Sequence, residues 1–147
     1  MKPFKFRLDA LLEFRKMQKQ QVETIFLKAT NQLRIEKESL VNLESKLQEN
    51  VILLRAEQQQ GVSIEKLKFF GYYFEKINKD IAEQIASVAQ VEAYCQKCLQ
   101  DLTEAQKNYK IVEKFREKKL HDYQIEALDA EQKLLDEIGL QIYIRGK

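Results

Sequence analysis

Two apolar ladders with a seven-residue period run along this chain, and a single break separates them. The first passes through Leu12, Lys19, Phe26, Leu33, Leu40, Leu47 and Leu54, the second through Leu67, Phe74, Ile81, Val88, Cys95, Leu102 and Tyr109. Each has a companion row offset by three or four positions. On the first arm it is Leu8, Arg15, Val22, Ala29, Glu36, Leu43 and Asn50; on the second it is Phe70, Ile77, Gln84, Val91, Cys98, Ala105 and Val112. This is the a/d pattern of a two-helix seam. Between the arms stands Gly61-Val62-Ser63, where Gly61 suits the position just past a helix end and Ser63, followed by Glu65, suits an N-cap. The pattern predicts an all-α fold: one long antiparallel two-helix coiled-coil hairpin over residues 1–147. Helix 1 should cover about 5–60, the tip about 61–63 and helix 2 about 64–142. Such a hairpin has no enclosed cleft, which argues for a stalk, spacer or adaptor and against an enzyme.

With the tip near Val62, Leu54 faces Phe70, Leu47 faces Ile77 and Leu12 faces Val112. The first arm then runs out before the second, so helix 2 is longer and overhangs. Beyond Val112 the ladder decays, with Arg116, Lys119, Glu126 and Lys133 in former seam positions. A displaced apolar row replaces it: Phe115, Leu120, Tyr123, Ala127, Leu134, Ile138 and Ile142. A lone helix with such a row is marginal in water unless something covers it. The overhang is therefore a candidate interaction surface, and a frayed tail is the plain alternative.

Composition agrees with helices. Charged residues make up 33% of the chain, beside four Gly, one Pro and no Trp, which leaves too few turn residues for a sheet protein. A net charge of +2 does not by itself call for nucleic acid. The opening Met-Lys-Pro-Phe-Lys-Phe-Arg lacks the apolar core of a signal peptide, and no run is long enough to span a membrane. Two Cys are too few for a disulfide framework and fit a cytosolic chain.

Little here carries bond-making chemistry. Cys95 and Cys98 form a CxxC deep inside a predicted helix, where both fall in seam rows and read as small packing residues; tetrahedral zinc needs four ligands. His121 has no acid or base partner pattern, and phosphate-loop, dinucleotide and zinc-protease motifs are missing. No catalytic residue, metal, cofactor or small-molecule substrate is expected. Two other clusters point to protein partners. Arg7, Arg15, Lys16 and Lys19 come near Lys107, Lys110, Lys114, Arg116, Lys118 and Lys119 at the open end, diluted by Asp9, Glu13, Glu113 and Glu117; this is either a cationic surface suited to an acidic partner or a plain solvated face. Near the tip, Phe70 and Phe74 take seam positions. Phe69, Tyr72 and Tyr73 are left pointing outward, the residue type that anchors interfaces, with a tip mini-core formed with Ile52 and Leu53 as the alternative.

Together these residues resemble the flagellar export protein FliJ family, with its related stalk proteins of virulence type III secretion. The opening Phe4-x-Phe6-x-Leu8-x-x-Leu11-Leu12-x-x-Arg15 is similar to the family's start. Glu113-Lys114-Phe115-Arg116-Glu117-Lys118-Lys119 with Tyr123 resembles its basic distal helix. Glu131, Lys133, Asp136, Glu137 and Arg145 resemble its closing segment, apart from Gly139 and Gly146. The resemblance implies a non-enzymatic part of the export apparatus, akin to the central stalk of rotary ATPases and connected with motility and chemotaxis. It would be cytoplasmic, peripheral at the cytoplasmic face of the membrane at the flagellar base, and monomeric on its own. Its implied partners are the hexameric flagellar export ATPase, the cytoplasmic domain of the export-gate membrane protein, and export chaperones, with no nucleic acid among them. On this reading Leu8, Leu11, Leu12, Arg15, Arg116, Lys118, Leu134 and Ile138 bind the ATPase, while Ile52, Phe69, Tyr72 and Tyr73 bind the gate. A self-associating scaffold and a hairpin holding chaperone are the competing readings.

Overall fold

In the computed structural model, which describes residues 2–146, the chain is two helices packed against each other, α1 (Asp9–Gln60) and α2 (Ile64–Arg145). It is an all-α hairpin, as the two ladders predict, with no strand among the described residues. Gly61 makes the turn: its φ of 92° lies in the left-handed region that favours glycine, and its N–H donates to the Gln58 carbonyl. Ser63 caps α2 by accepting from the Lys66 N–H at 3.3 Å. Helix α2 continues through Gly139 to Arg145, beyond the expected end near residue 142.

Helix α1 starts at Asp9, later than the expected start near residue 5. Pro3 and the alternation Phe4-Lys5-Phe6-Arg7 explain why: a non-helical backbone with a period of two puts Phe4 and Phe6 on one side, and both rings find partners on α2. Phe6 lies 5.9 Å from Phe115 and is only 7% exposed, while Phe4 lies 5.5 Å from Tyr123. An aromatic strap therefore precedes the helix.

The chain's contacts fall into two units, one of residues 1–21 with 103–147 and one of residues 22–102. In the second unit the seam rows are the shielded rows. Phe70, Ile77, Cys95, Cys98 and Leu102 are buried, and Phe26, Leu33, Leu40, Leu43 and Leu47 are half-buried. Its tightest layer sets Ala29 against Cys95 and Cys98, with Phe26, Leu33 and Val91 around them. Burial, then the neighbouring Cys98 and Glu92, push the Cys95 thiol above its ordinary range, with Lys37 opposing. Two polar layers interrupt the aliphatic ones. Gln84 donates to both the backbone carbonyl and the carboxylate of Glu36, and Asn50 donates to the Tyr73 hydroxyl at 3.1 Å. Each links residues far apart in sequence, so a slipped register would break both cross-helix hydrogen bonds, although Asn50 would keep its 2.7 Å bond to the Lys46 carbonyl.

In the first unit, Ala105 and Val112 are buried, and Leu11 and Leu12 are half-buried.

Ala29 is only 3% exposed, and Cys98 in the same layer equally so. Ala29→Leu should overpack this layer and cost about 1–3 kcal/mol in thermal or chemical melts. The thiols should resist alkylation in the folded protein and react on unfolding. Because the folded Cys95 pKa is raised, its contribution to stability is full below the ordinary thiol pKa. It should fade as pH climbs from there through the folded value, so the melting temperature should drop in alkali more for wild type than for Cys95→Ala.

Candidate functional site

No catalytic constellation is present among the described residues. His121 is exposed, and no group of three His, Cys, Asp or Glu side chains is placed to hold a metal. No helix is long and apolar enough to cross a membrane. What the chain offers is exposed apolar surface along both helices, and two parts of it hold the residues singled out by the sequence.

The first belongs to the unit of residues 1–21 and 103–147. Here the strap lies along α2: the Tyr123 hydroxyl donates to the Lys2 carbonyl, and the Arg116 guanidinium sits 5.6 Å from the centre of the Phe4 ring. Arg116 also reaches Asp9 at 3.8 Å. Lys19 stands 4.8 Å over the Tyr109 ring, whose phenol is held above its usual range chiefly by a hydrogen bond to Glu113 and then by burial. Beside the strap runs an apolar groove floored by Leu8, Leu11, Ile111, Val112 and Phe115 and rimmed by Lys114 and Lys118. Leu8, Leu11 and Lys118, three of the residues expected to bind a partner, thus share one groove. Leu12 lines a separate, more polar depression with Arg116, Asp9 and Tyr109. Arg15 is half-buried, engages Gln18 at 3.1 Å and sits 5.9 Å from the Phe14 ring centre.

Leu134 and Ile138 lie farther along α2 and do not join that groove. From Leu128 to Gly146 every residue is exposed. The unpaired stretch begins later than the ladder alone indicates, because the strap shelters α2 as far as Tyr123. The Phe4–Phe6 alternation is the signal that sequence reasoning passed over.

The second surface lies at the tip. Phe69 and Tyr72 are 70% and 71% exposed and Ile52 64%, so the aromatic pair and the isoleucine stand outward as expected. Ile52 and Leu53 build no mini-core, since both are exposed. Tyr73 is a correction: it is half-buried, its ring sits edge-on to Phe74 at 5.9 Å, and its hydroxyl accepts from Asn50. The seam rows, taken as strict lines, leave Tyr73 no place inward. A residue flanking the seam can still reach it with a long side chain when a polar partner such as Asn50 waits on the facing helix.

A family model described as "Flagellar FliJ protein" matches residues 4–147. No curated protein and no solved structure matches the chain at a significant level.

The two neighbouring tyrosines should separate in a melt. Tyr73→Phe loses the hydroxyl that Asn50 meets and should cost about 1 kcal/mol, and Tyr73→Ala more. Tyr72→Ala should stay within about 0.5 kcal/mol of wild type.

Proposed function

The chain belongs to the flagellar FliJ family, a non-catalytic component of flagellar protein export, and from that premise we propose that it is a stalk for the export ATPase. The base formed by residues 1–21 and 103–147 docks into the hexameric ATPase and promotes its assembly and activity. Leu8, Leu11 and Lys118 act from the groove, Leu12, Arg15 and Arg116 from the half-buried layer beside it, and Leu134 and Ile138 from the end of α2. Apolar contact supplies most of the affinity, and the cations speed and orient the encounter. The observation that carries this reading is the end of α2: a helix from Leu128 onward with Leu134, Leu135, Ile138 and Ile142 open to water. An isolated helix of that length is marginal by itself, so its apolar residues call for a covering surface.

At the tip, Phe69, Tyr72 and Ile52 contact the cytoplasmic domain of the export gate, with Tyr73 supporting them from behind. The protein then works at the cytoplasmic face of the membrane and hands export chaperones on. A structural scaffold remains the second reading, favoured by the same exposed row if copies of this chain cover one another there.

Ending the chain after Ala127 leaves the strap and its Tyr123 contact in place and removes the open row. That variant should fold, remain monomeric and lose stimulation of ATP hydrolysis. Full stimulation by the shortened chain would rule out α2's end as the coupling element. Separately, Phe69→Ala and Tyr72→Ala should each weaken binding to the isolated gate domain by about 2 kcal/mol while ATPase stimulation is preserved.

A further inference from the structure

Along the open end of α2 a third ladder repeats the spacing of the seam. Leu128, Glu131, Leu135, Ile138 and Ile142 alternate at steps of three and four, and all five side chains are exposed. Four are aliphatic. The remaining one, second in the row, is an acid with aliphatic residues on both sides. Its neighbours one helical turn away are Ala127, Leu128, Leu134 and Leu135, so no cation of its own helix is placed to pair with it. Among the described residues the Glu131 carboxylate has no ion pair or hydrogen bond, whereas the nearby Asp136 accepts from Gln132 at 3.0 Å.

While the helix end stands in water this carboxylate is solvated and costs nothing. Any surface that covers the aliphatic residues on either side must also take Glu131 out of water. A desolvated carboxylate is strongly disfavoured unless a cation and hydrogen-bond donors replace its hydration. The row therefore selects its partner by charge as well as by shape. We infer that the site receiving the end of α2 is an apolar socket holding a cationic side chain opposite Glu131. Arginine fits best, since its planar fork meets both carboxylate oxygens.

This requirement is opposite in sign to that of the groove at Leu8, Leu11, Ile111 and Phe115. There Lys114 and Lys118 form the rim, neither has an ion pair among the described residues, and the matching surface is acidic. The inference rests on the reading that the export ATPase is the occupant. It adds that the ATPase meets this base with both signs of charge, and that the positive one belongs to the end of α2.

Substitutions at Glu131 test it, because an exposed helical position changes little in folding; circular dichroism and light scattering on each full-length variant check that. Binding to the hexameric export ATPase of the same cell is measured for wild type, Glu131→Gln, Glu131→Leu and Glu131→Lys. A cationic socket predicts a modest loss for Gln. Leu, which leaves the partner's cation buried and unpaired, should lose at least about tenfold, and Lys more still. A purely apolar socket predicts that Leu binds more tightly than wild type, and an acidic lumen predicts that Lys does. Either tightening, or no change for both, overturns the inference while the ATPase reading stands. If wild type itself does not bind the hexamer, that reading falls and takes the inference with it.

Discussion

A two-helix seam offers each helix a single sheltered face, and that limit governs the energetics of this molecule. Among the described residues no large side chain is completely withdrawn from solvent, and the buried set consists of small or mid-sized groups beside a few rings. Burying apolar area is worth only ~25 cal/mol per Å², so stability has to accumulate layer by layer along the seam. The tight layer at Ala29, Cys95 and Cys98 shows how a narrow seam is filled: a small residue on one helix meets two compact thiols on the other.

The same limit explains the polar layers. With few layers to fix alignment, an aliphatic seam could shift by a heptad at modest cost. The Glu36–Gln84 and Asn50–Tyr73 contacts raise that cost, because a shifted register breaks the cross-helix hydrogen bonds that Gln84 and Asn50 make. The aromatic strap answers a related problem where α1 begins. Phe4 and Phe6 extend the cover over α2 past the point where a helical partner ends. A non-helical segment advances farther per residue than a helix when it is extended, so a few residues shelter a longer stretch of α2.

Function follows from what stays uncovered. The residues beyond Leu128 and the tip pair Phe69 and Tyr72 are surfaces the hairpin does not use for itself. Beyond Leu128 the apolar groups flank an acid, Glu131, whereas the groove at Leu8, Leu11 and Phe115 is rimmed by Lys114 and Lys118. The exposed rows thus carry instructions about sign as well as shape, and the acid at Glu131 and the lysines at 114 and 118 ask for different surroundings.

Much of this was legible in the sequence. Seven-residue periodicity reports helix–helix contact directly, since position in the heptad decides which face is sheltered. The hairpin, the Gly61 turn, the Ser63 cap, the seam membership of both cysteines and the outward Phe69 and Tyr72 all follow from spacing and local backbone chemistry. What only the tertiary structure decided are the contacts that depend on a neighbour distant in the chain. The strap became visible once Phe115 and Tyr123 were in place to receive its two rings. Tyr73 turned inward because Asn50 waits on the facing helix. Leu8 and Leu11 joined Ile111 and Phe115 in one groove while Leu134 and Ile138 stayed apart. Heptad spacing fixes the face a residue occupies, but which polar or aromatic partner it meets there is set by the packing of the other helix.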